Sequence, residues 1–384
     1  MIPFSAVFSN RVVFKQGASD SISEIIASYK QPGAVILILT DRGLTSTGIP
    51  SRIGAFLSQS GYIVRMSDIV PPEPTDGDLD SIVNLVKSSQ VEIIVAVGGG
   101  SVIDAAKVLS VLLVHGGTTG NLVESGVPGP GLPIIAIPTT AGTGSEATPN
   151  AIVLFPDKKI KAGIISPHFM PACVVLDPSL TTGLPPALTA STGIDALCHL
   201  LECYIGKKAN SFSDMVALQG MGLLMSALPA AFKNGNDLEA RAAMMLAAYY
   251  GGVCIASSGT NAIHALSYPL GGKYRVPHGL ANAALLLPVM DFQKQRIAAS
   301  LACVSRSIGY ATNADDQADA QILIDSLHTL ISELGIPTRL ADFDIPVEAL
   351  DELTEAAYSV RRLLDNNPIE LSKADIRTIY ESMI

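Results

Sequence analysis

One aspartate and three histidines in the second half of the chain have the residue types and spacing of a metal site. Asp195 and His199 lie four residues apart in the segment GIDALCHLLECY, so a helix would place both on one face. His264 and His278 follow in the segment IHALSYPLGGKYRVPHG. Taken singly, each histidine would more often be structural, but together these side chains form a plausible site for Fe(II) or Zn(II). For Glu202 we expect a solvated carboxylate, or one that contacts a ligand, rather than a ligand itself.

Two short loops rich in glycine and hydroxyl side chains have the composition of a phosphate-binding site. Residues 98–101 (GGGS) follow a predicted strand and begin a predicted helix. Glycines let the backbone approach a ligand closely, and the free N–H groups at a helix N-terminus attract phosphate. The alternative is a plain tight turn, and the segment is not the GxGxxG fingerprint. Residues 138–146 (PTTAGTGSE) follow another predicted strand, and two such loops at neighbouring strand ends suit the pyrophosphate of a dinucleotide.

Asp41 stands at the end of the first predicted strand. A carboxylate there can accept hydrogen bonds from an adenosine ribose, and it would repel a 2′-phosphate, which favours NAD over NADP. On position alone, an ordinary aspartate that caps a turn is an equally good interpretation.

The elements that must carry these residues divide the chain into two parts. In the first part, short apolar runs alternate with helical patterns, which predicts a Rossmann-like α/β domain with a parallel sheet covered on both faces. The predicted strands are 34–40, 62–66, 91–97 and 132–137. The second part contains long segments rich in Ala, Leu and Met, which predict an all-α domain; they are 189–205, 213–232, 238–255 and 296–308. We place the boundary at the prolines near 185, so that the domains are 1–185 and 186–384.

Composition excludes several classes of function. The 384 residues are 48% hydrophobic and carry a net charge of −10, which argues against disorder, a nucleic-acid partner and an anionic membrane surface. Residues 242–263 are apolar and about long enough to span a bilayer, but we expect a helix buried inside the protein, with no membrane partner. Five cysteines without a CxxC pair, and no charged and apolar leader over residues 1–14, predict a reduced cytoplasmic protein.

Four segments together resemble the iron-containing (group III) alcohol dehydrogenase family. They are GGGS at 98–101, PTTAGTGSE at 138–146, GIDALCHLLE at 193–202 and the block from His264 to Gly279, and the resemblance extends from Val12 to Pro368. It implies a dehydroquinate-synthase-like architecture, in which an NAD-binding α/β domain precedes a helical domain and the metal lies in the cleft between them. The implied metal ligands are Asp195, His199, His264 and His278. The implied cofactor-binding residues are Asp41, Gly99, Gly100, Ser101, Thr139, Thr140, Thr143, Asn150 and Lys161.

The chain departs from the family pattern at two positions. Tyr268 stands where relatives commonly have a histidine that is assigned to proton relay. A phenol has an ordinary pKa of about 10, so Tyr268 is a poor base, although it could pass a proton along a hydrogen-bonded chain. The alternative is that it only shapes the pocket. Glu73 stands where many relatives have asparagine, which puts the contacts at that position in doubt.

The resemblance implies a metal-dependent, NAD(H)-linked alcohol dehydrogenase or aldehyde reductase. We expect a small primary alcohol or aldehyde as substrate, with the metal as Lewis acid, Tyr268 as a candidate catalytic residue, and a homodimer or larger homo-oligomer. The same-class alternative is a hydroxyacid–oxoacid transhydrogenase with bound nicotinamide, whose branch also resembles this chain at Tyr268. A lyase of the dehydroquinate-synthase kind is less favoured because the residues beside the ligands are apolar. A non-catalytic scaffold would not need two glycine-rich loops.

Overall fold

A computed structural model describes residues 4–158, 160–312 and 315–384, which form two compact units. The α/β unit comprises Val7–Thr140 and Gly144–Gly183. The helical unit comprises Leu184–Ile384, together with residues 4–6 and Ala141–Thr143. Three residues of the loop 138–146 are therefore grouped with the helices rather than with the sheet that precedes them.

The α/β unit is built on a six-stranded parallel sheet with the strand order β1-β8-β5-β4-β2-β3. Its strands are β1 (Arg11–Phe14), β2 (Val35–Leu39), β3 (Ile63–Ser67), β4 (Ile93–Gly98), β5 (Ile134–Pro138) and β8 (Cys173–Leu176). An antiparallel hairpin of β6 (Asn150–Phe155) and β7 (Ile160–Ile165) lies outside this sheet. The four predicted strands are β2 to β5, and the predicted parallel sheet is confirmed.

The central strands are apolar throughout because both faces of the sheet are covered. In β4, Ile93 and Val95 belong to one hydrophobic core, whereas Ile94 and Ala96 belong to the other. The covering helices are α1 (Ile22–Ala27), α2 (Arg42–Thr45), α3 (Ile49–Gln59), α4 (Asp76–Val86), α5 (Gly100–His115) and α6 (Thr119–Ser125). Short 3₁₀ turns lie at Ala18–Ser21, Lys87–Ser89, Ser145–Ala147, Pro167–Phe169 and Pro178–Thr181.

The turn from β4 into α5 depends on a close approach of the backbone. A Cβ atom on Gly98, the last residue of β4, would lie 2.6 Å from Cγ2 of Val102. Gly99 is the N-cap of α5, and its backbone is extended, with φ −79°. The chain thus turns from strand to helix within two residues, and the first N–H groups of α5 stand at the carboxyl end of the sheet.

The helical unit contains, among its described residues, helices and turns but no strand. Its helices are α7 (Pro186–Ile205), α8 (Ser211–Lys233), α9 (Leu238–Ser257), α10 (Ala262–Tyr274), α11 (His278–Gln293), α12 (Ala298–Ser307), α13 (Asp316–Glu333), α14 (Leu350–Ser359), α15 (Arg361–Leu364) and α16 (Lys373–Glu381). Short 3₁₀ turns lie at Leu340–Phe343 and Val347–Ala349. The all-α prediction is confirmed, and α7, α8 and α9 pack against one another.

The apolar segment predicted as one buried helix is two helices. It breaks at residues 258–261, where α9 and α10 meet at a bend of 102°. None of its residues is exposed, so the prediction of burial is confirmed. By length and composition alone, α8 could cross a membrane, and up to three spans result among the described residues if two bent helix pairs each count as one. The absence of a membrane partner stays a prediction.

The close approach of Gly98 to Val102 can be tested by comparing alanine substitutions at two neighbouring glycines. Gly98→Ala forces a methyl group into Val102, so we expect the free energy of unfolding to fall by about 1–3 kcal/mol. In Gly99→Ala the added Cβ would meet Thr140 at 3.4 Å, an ordinary contact, and we expect a change below about 1 kcal/mol. Urea denaturation measures both variants. Equal losses of stability would show that the Val102 contact is not the reason for the glycine.

Candidate active site

Three helices bring the four predicted ligands together inside the helical unit. Asp195 and His199 lie one turn apart on α7, His264 lies in the first turn of α10, and His278 begins α11. One donor atom from each of the four side chains lies within 4.8 Å of all the others. Oδ1 of Asp195 is 3.8 Å from Nε2 of His199 and 4.0 Å from Nε2 of His264. Asp195, His199 and His264 are buried and His278 is half-buried.

Burial and mutual charge determine the protonation of this cluster. Burial raises the pKa of Asp195, but the three imidazoles and an amide hydrogen bond outweigh it and hold the pKa below its usual range. Burial lowers the pKa of His199, which favours the neutral ring. An ionised carboxylate beside a neutral imidazole presents lone pairs, which is the state that a metal ion requires of these ligands.

Glu202 determines which nitrogen of His264 faces the cluster. Its Oε2 is hydrogen-bonded to Nδ1 of His264, and its Oε1 accepts the backbone N–H of Ile263 at 2.7 Å. Burial lowers the pKa of His264, but this carboxylate outweighs burial and raises it. In the neutral ring, with Nδ1–H directed at Glu202, Nε2 carries the lone pair and faces Asp195. Glu202 is fully buried, so of the two roles expected for it, contact with a ligand is right and exposure to solvent is wrong.

A set of asparagines holds the bend that places His264. Asn261 begins α10, and its Nδ2 donates to the carbonyl of Glu202 at 2.8 Å. Nδ2 of Asn366 donates to the carbonyls of Ser258 and Gly259 at 2.9 and 3.1 Å. Asn366 thus satisfies carbonyls at the end of α9, and Asn261 connects the start of α10 to α7. The sequence analysis missed both residues; the only local signal was the run of small polar residues between two apolar helices.

The donor set fits the metal that the sequence predicts. Three imidazole nitrogens and one carboxylate oxygen, from three buried side chains and one half-buried side chain, suit Fe(II) or Zn(II). The amide nitrogen of Asn282 lies within hydrogen-bond distance of Asp195, His264 and His278, so these lone pairs converge on one small region. A buried point at which ligand side chains converge is a favourable place for a metal ion.

Tyr268 lies beside this cluster. It follows His264 by one turn of α10, it is half-buried, and its ring centroid is 6.2 Å from that of His278. Its position is compatible with a role in proton transfer and equally with shaping the pocket, so the role stays a prediction.

In the α/β unit the two glycine-rich loops are neighbours. Gly98 pairs with Pro138 across β4 and β5, and the N–H of Thr139 donates to the carbonyl of Gly98 at 3.1 Å. A Cβ on Gly99 would lie 3.4 Å from Oγ1 of Thr140. The start of α5, with Gly100 and Ser101, therefore adjoins the threonines as predicted. Thr143 is grouped with the helical unit instead.

Asp41 caps a turn in the structure, which is the alternative that its position in the sequence offered to ribose binding. Oδ1 of Asp41 accepts the backbone N–H of Leu44 at 2.9 Å, which caps the short helix α2. The residue is half-buried at the end of β2. Contact with a cofactor ribose stays a prediction.

Glu73 connects two of the predicted cofactor residues. Oε1 of Glu73 is 2.9 Å from Nζ of Lys161, and its backbone N–H donates to Oγ of Ser101 at 3.1 Å. Its backbone lies in the left-handed region, with φ 50°, which is unusual for a residue with a side chain. Asn150 and Lys161 lie on β6 and β7, but they face different partners along the hairpin.

A buried ammonium group attaches the second loop to α5. Nζ of Lys107 donates to the carbonyls of Ser145 and Asn150 at 2.7 and 2.5 Å and to Oγ1 of Thr148 at 3.2 Å, and it pairs with Asp104 at 3.4 Å. The lysine is fully buried. The sequence analysis missed this cluster, although two charged residues three apart in the apolar helix VIDAAKVL were a signal.

A parallel α/β sheet with phosphate-type loops at its strand ends, together with a buried N₃O ligand set, defines a nucleotide-dependent metalloenzyme. Two family models match the chain: iron-containing alcohol dehydrogenase over residues 9–178, and the C-terminal part of the Fe-containing alcohol dehydrogenase family over residues 189–384.

Individual proteins agree with these matches. Long-chain-alcohol dehydrogenase 1 of Geobacillus thermodenitrificans is 34% identical over 368 residues, which cover 94% of this chain and 93% of that protein. The crystal structure of a 1,3-propanediol oxidoreductase is 30% identical, with a TM-score of 0.94 and full coverage (100%) of both chains. A sulfoacetaldehyde reductase from Bifidobacterium kashiwanohense, solved in complex with NAD+, is 26% identical, with a TM-score of 0.90 and coverage of 100% of this chain and 99% of that one.

The chain belongs to the iron-containing alcohol dehydrogenase family, and it is a metal-dependent, NAD-linked oxidoreductase of that family. The family resemblance drawn from the four sequence segments is confirmed.

Glu146, in the loop beside Lys107, makes a pH-dependent contribution to stability. Burial raises its pKa from 4.5 to about 7, despite the opposing effect of Lys107. The unfolded chain therefore ionises Glu146 first, and the folded state loses stability as pH rises from about 4.5 to 7. We expect Glu146→Gln to be more stable than the wild type at pH 8, by the order of 2 kcal/mol, and the gain to shrink toward pH 5.

Urea denaturation at the two pH values measures this difference. Glu124→Gln, at an exposed position of the same unit, is the matched control and should leave stability unchanged at both pH values. A gain for Glu146→Gln that does not vary with pH would contradict the raised pKa.

Glu202→Gln tests the contact that orients His264. Glutamine keeps an oxygen for the N–H of Ile263 but loses the charge that holds Nδ1–H, so we expect metal affinity to fall about 10- to 100-fold. Titration of the chelator-treated protein with Zn(II) measures it. Asp319→Asn, which changes another buried carboxylate of the helical unit, should leave metal affinity unchanged. An unchanged affinity in Glu202→Gln would remove Glu202 from the site.

Proposed function

We propose that this chain interconverts a small primary alcohol and its aldehyde, with NAD(H) as the hydride carrier and a divalent metal in the helical unit. The observation that carries the proposal is the convergence of Asp195, His199, His264 and His278 within 4.8 Å in an apolar interior. The family membership supports the reaction class, and the two glycine-rich loops support the cofactor.

In this proposal the four side chains are the metal ligands, and the metal is Fe(II), with Zn(II) as the alternative. When bound, such an ion acts as a Lewis acid toward an alcohol or aldehyde oxygen. The chain supplies the conditions for that chemistry. Asp195 contributes the only formal negative charge among the ligands, and Glu202 keeps the proton of His264 on Nδ1, away from the ligand cluster.

The α/β unit binds NAD in this proposal. The residues assigned to it are Asp41, Gly99, Gly100, Ser101, Thr139, Thr140, Thr143, Asn150 and Lys161. The bound cofactor accepts or donates the hydride. The N–H groups at the start of α5 bind phosphate, and Lys107 keeps the neighbouring loop in place from beneath. Asp41, at the end of β2, disfavours a 2′-phosphate and so selects NAD over NADP.

Tyr268 is the candidate for handling the proton that accompanies hydride transfer. Its ring lies beside His278 at the edge of the ligand cluster, and a phenol can donate a hydrogen bond to a substrate oxygen or pass a proton to water or ribose. Neutral histidine would be the better base at this position, so the tyrosine makes proton transfer dependent on neighbouring groups.

The apolar residues around the ligands support a small, uncharged substrate. Ile263, Ala265 and Leu266 are all buried beside His264 on α10, and they offer no partner for a carboxylate or phosphate. The relatives described above are named for a long-chain alcohol, a diol and a sulfonated aldehyde, so membership of the family does not select the substrate.

The remaining assignments concern assembly and location. We infer a homodimer or larger homo-oligomer, because strand β1 lies at the sheet edge with Val12 and Phe14 exposed. Four of the five cysteines are buried and all five are free, which supports a reducing, cytoplasmic location.

The test is NADH oxidation by anaerobically purified protein with short aldehydes and oxoacids, run with added Fe(II), with Zn(II) and with a chelator. We expect chelator-sensitive turnover of aldehydes that needs added NADH. His264→Ala should abolish turnover, and Tyr268→Phe should lower it only partly. A wild-type pH profile in Tyr268→Phe would remove that residue from proton transfer.

Two outcomes would contradict the proposal. Hydride exchange between a hydroxyacid and an oxoacid without added NAD would indicate a transhydrogenase with bound nicotinamide. Aldehyde turnover that survives both the chelator and His264→Ala would exclude the metal site.

A further inference from the structure

Asn282 is a buried amide with no role in the function proposed so far. It lies on α11 one turn after His278, and its side chain is completely buried. Asn282 is also connected to α7, since its backbone carbonyl accepts a hydrogen bond from Sγ of Cys198 at 3.7 Å. The residue thus stands where the helices that carry three of the four ligands meet.

The amide nitrogen of Asn282 faces these ligands. Nδ2 donates to Oδ1 of Asp195 at 2.7 Å, and it lies 3.1 Å from Nε2 of His264 and 3.3 Å from Nε2 of His278. In the neutral ring of His264, with Nδ1–H directed at Glu202, Nε2 is an acceptor. One N–H₂ group therefore adjoins atoms of three of the four proposed ligands.

The opposite end of the same amide has no partner. Among the described residues, none forms a hydrogen bond with Oδ1 of Asn282. Leaving a buried carbonyl oxygen unpaired costs about 1–3 kcal/mol, and a leucine of similar size would avoid this cost. The amide is therefore not explained by packing, and its nitrogen must do something that offsets the cost of its oxygen.

Three helices must place their ligands in register before an ion can be bound by all of them. The carboxylate of Asp195 can rotate about its terminal bond unless a hydrogen bond fixes it. The N–H of Asn282 donates such a hydrogen bond to Oδ1 of Asp195. Groups that orient ligands in this way typically change metal affinity 10- to 100-fold.

We propose that Asn282 is the positioning residue of the metal site: one N–H of its amide holds the Asp195 carboxylate in the ligand position, and the other faces Nε2 of His264 and of His278 until an ion binds. The inference rests on the proposed function, because it assumes that these four side chains bind a metal. In this orientation Asn282 is not a ligand, since its Nδ2 faces the cluster and an amide nitrogen offers no lone pair.

The experiment compares Asn282→Leu with Asn367→Leu. Asn367 is also a completely buried amide of the helical unit with an unpartnered Oδ1 among the described residues, but its Nδ2 donates to Gln293 and Ile369, not to ligands. Chelator-treated proteins are titrated with Co(II), and the visible absorption spectrum and the dissociation constant are recorded. We expect Asn282→Leu to bind Co(II) 10- to 100-fold more weakly with an altered spectrum, and Asn367→Leu to match the wild type in both.

Further measurements distinguish failure of the proposal for Asn282 from failure of the proposed metal site. Wild-type affinity and spectrum in Asn282→Leu would overturn this proposal alone. Absence of Co(II) binding in the wild type, or binding that survives His264→Ala, would overturn the proposed metal site and this proposal with it. If Asn282→Leu does not fold, Asn282→Ala, which removes the donor without adding bulk, decides by the same measurements. A loss of affinity in Asn367→Leu equal to that in Asn282→Leu would show a general effect of removing a buried amide and would also overturn it.

Discussion

The packing of α7, α10 and α11 in the helical unit depends on how the buried negative charge of Asp195 is compensated. A carboxylate in an apolar interior must be compensated, and here three imidazoles and one amide do so. These groups come from α7, α10 and α11, so the helices can pack only in an arrangement that keeps the groups together. The bend between α9 and α10 serves the same end, because it lets the N-terminus of α10 meet Glu202.

The α/β unit contains a buried group of the opposite charge, the ammonium group of Lys107, which must also be compensated. Lys107 is buried under the loop that follows β5, and carbonyl and hydroxyl oxygens surround its ammonium group. The strands β4 and β5 belong to the apolar cores, and the two glycine-rich loops follow their carboxyl ends. Rigid apolar layers can thus support loops that bind a ligand.

The two units supply different parts of one reaction class. In the proposed function, the four ligands hold a Lewis acid and the glycine-rich loops bind the nicotinamide cofactor. Relatives that share this architecture are named for quite different alcohols and aldehydes, which follows if specificity resides in the pocket lining rather than in the ligands. In the proposed metal site, Asn282 is not a ligand; its amide donates a hydrogen bond to Asp195 and thereby controls the position of that carboxylate.

The sequence by itself determined the fold class and the strands β2 to β5, and it singled out the four side chains that the structure brings together, because periodicity and residue type are local properties. Four strands escaped it. Arg11–Phe14 and Cys173–Leu176 are four-residue strands too short for a periodic signal, and the hairpin of β6 and β7 does not belong to the sheet. From the sequence alone, Asp41 could be either a residue that caps a turn or a residue that binds a ligand, and the sequence could not decide between these two roles. Only the tertiary structure decided which nitrogen of His264 faces the ligands, that Glu73 pairs with Lys161, and that Asn282 adjoins Asp195. Each of these contacts joins residues 18 to 88 positions apart in the chain, and spacing along a sequence does not specify which distant side chains a packed interior brings into contact.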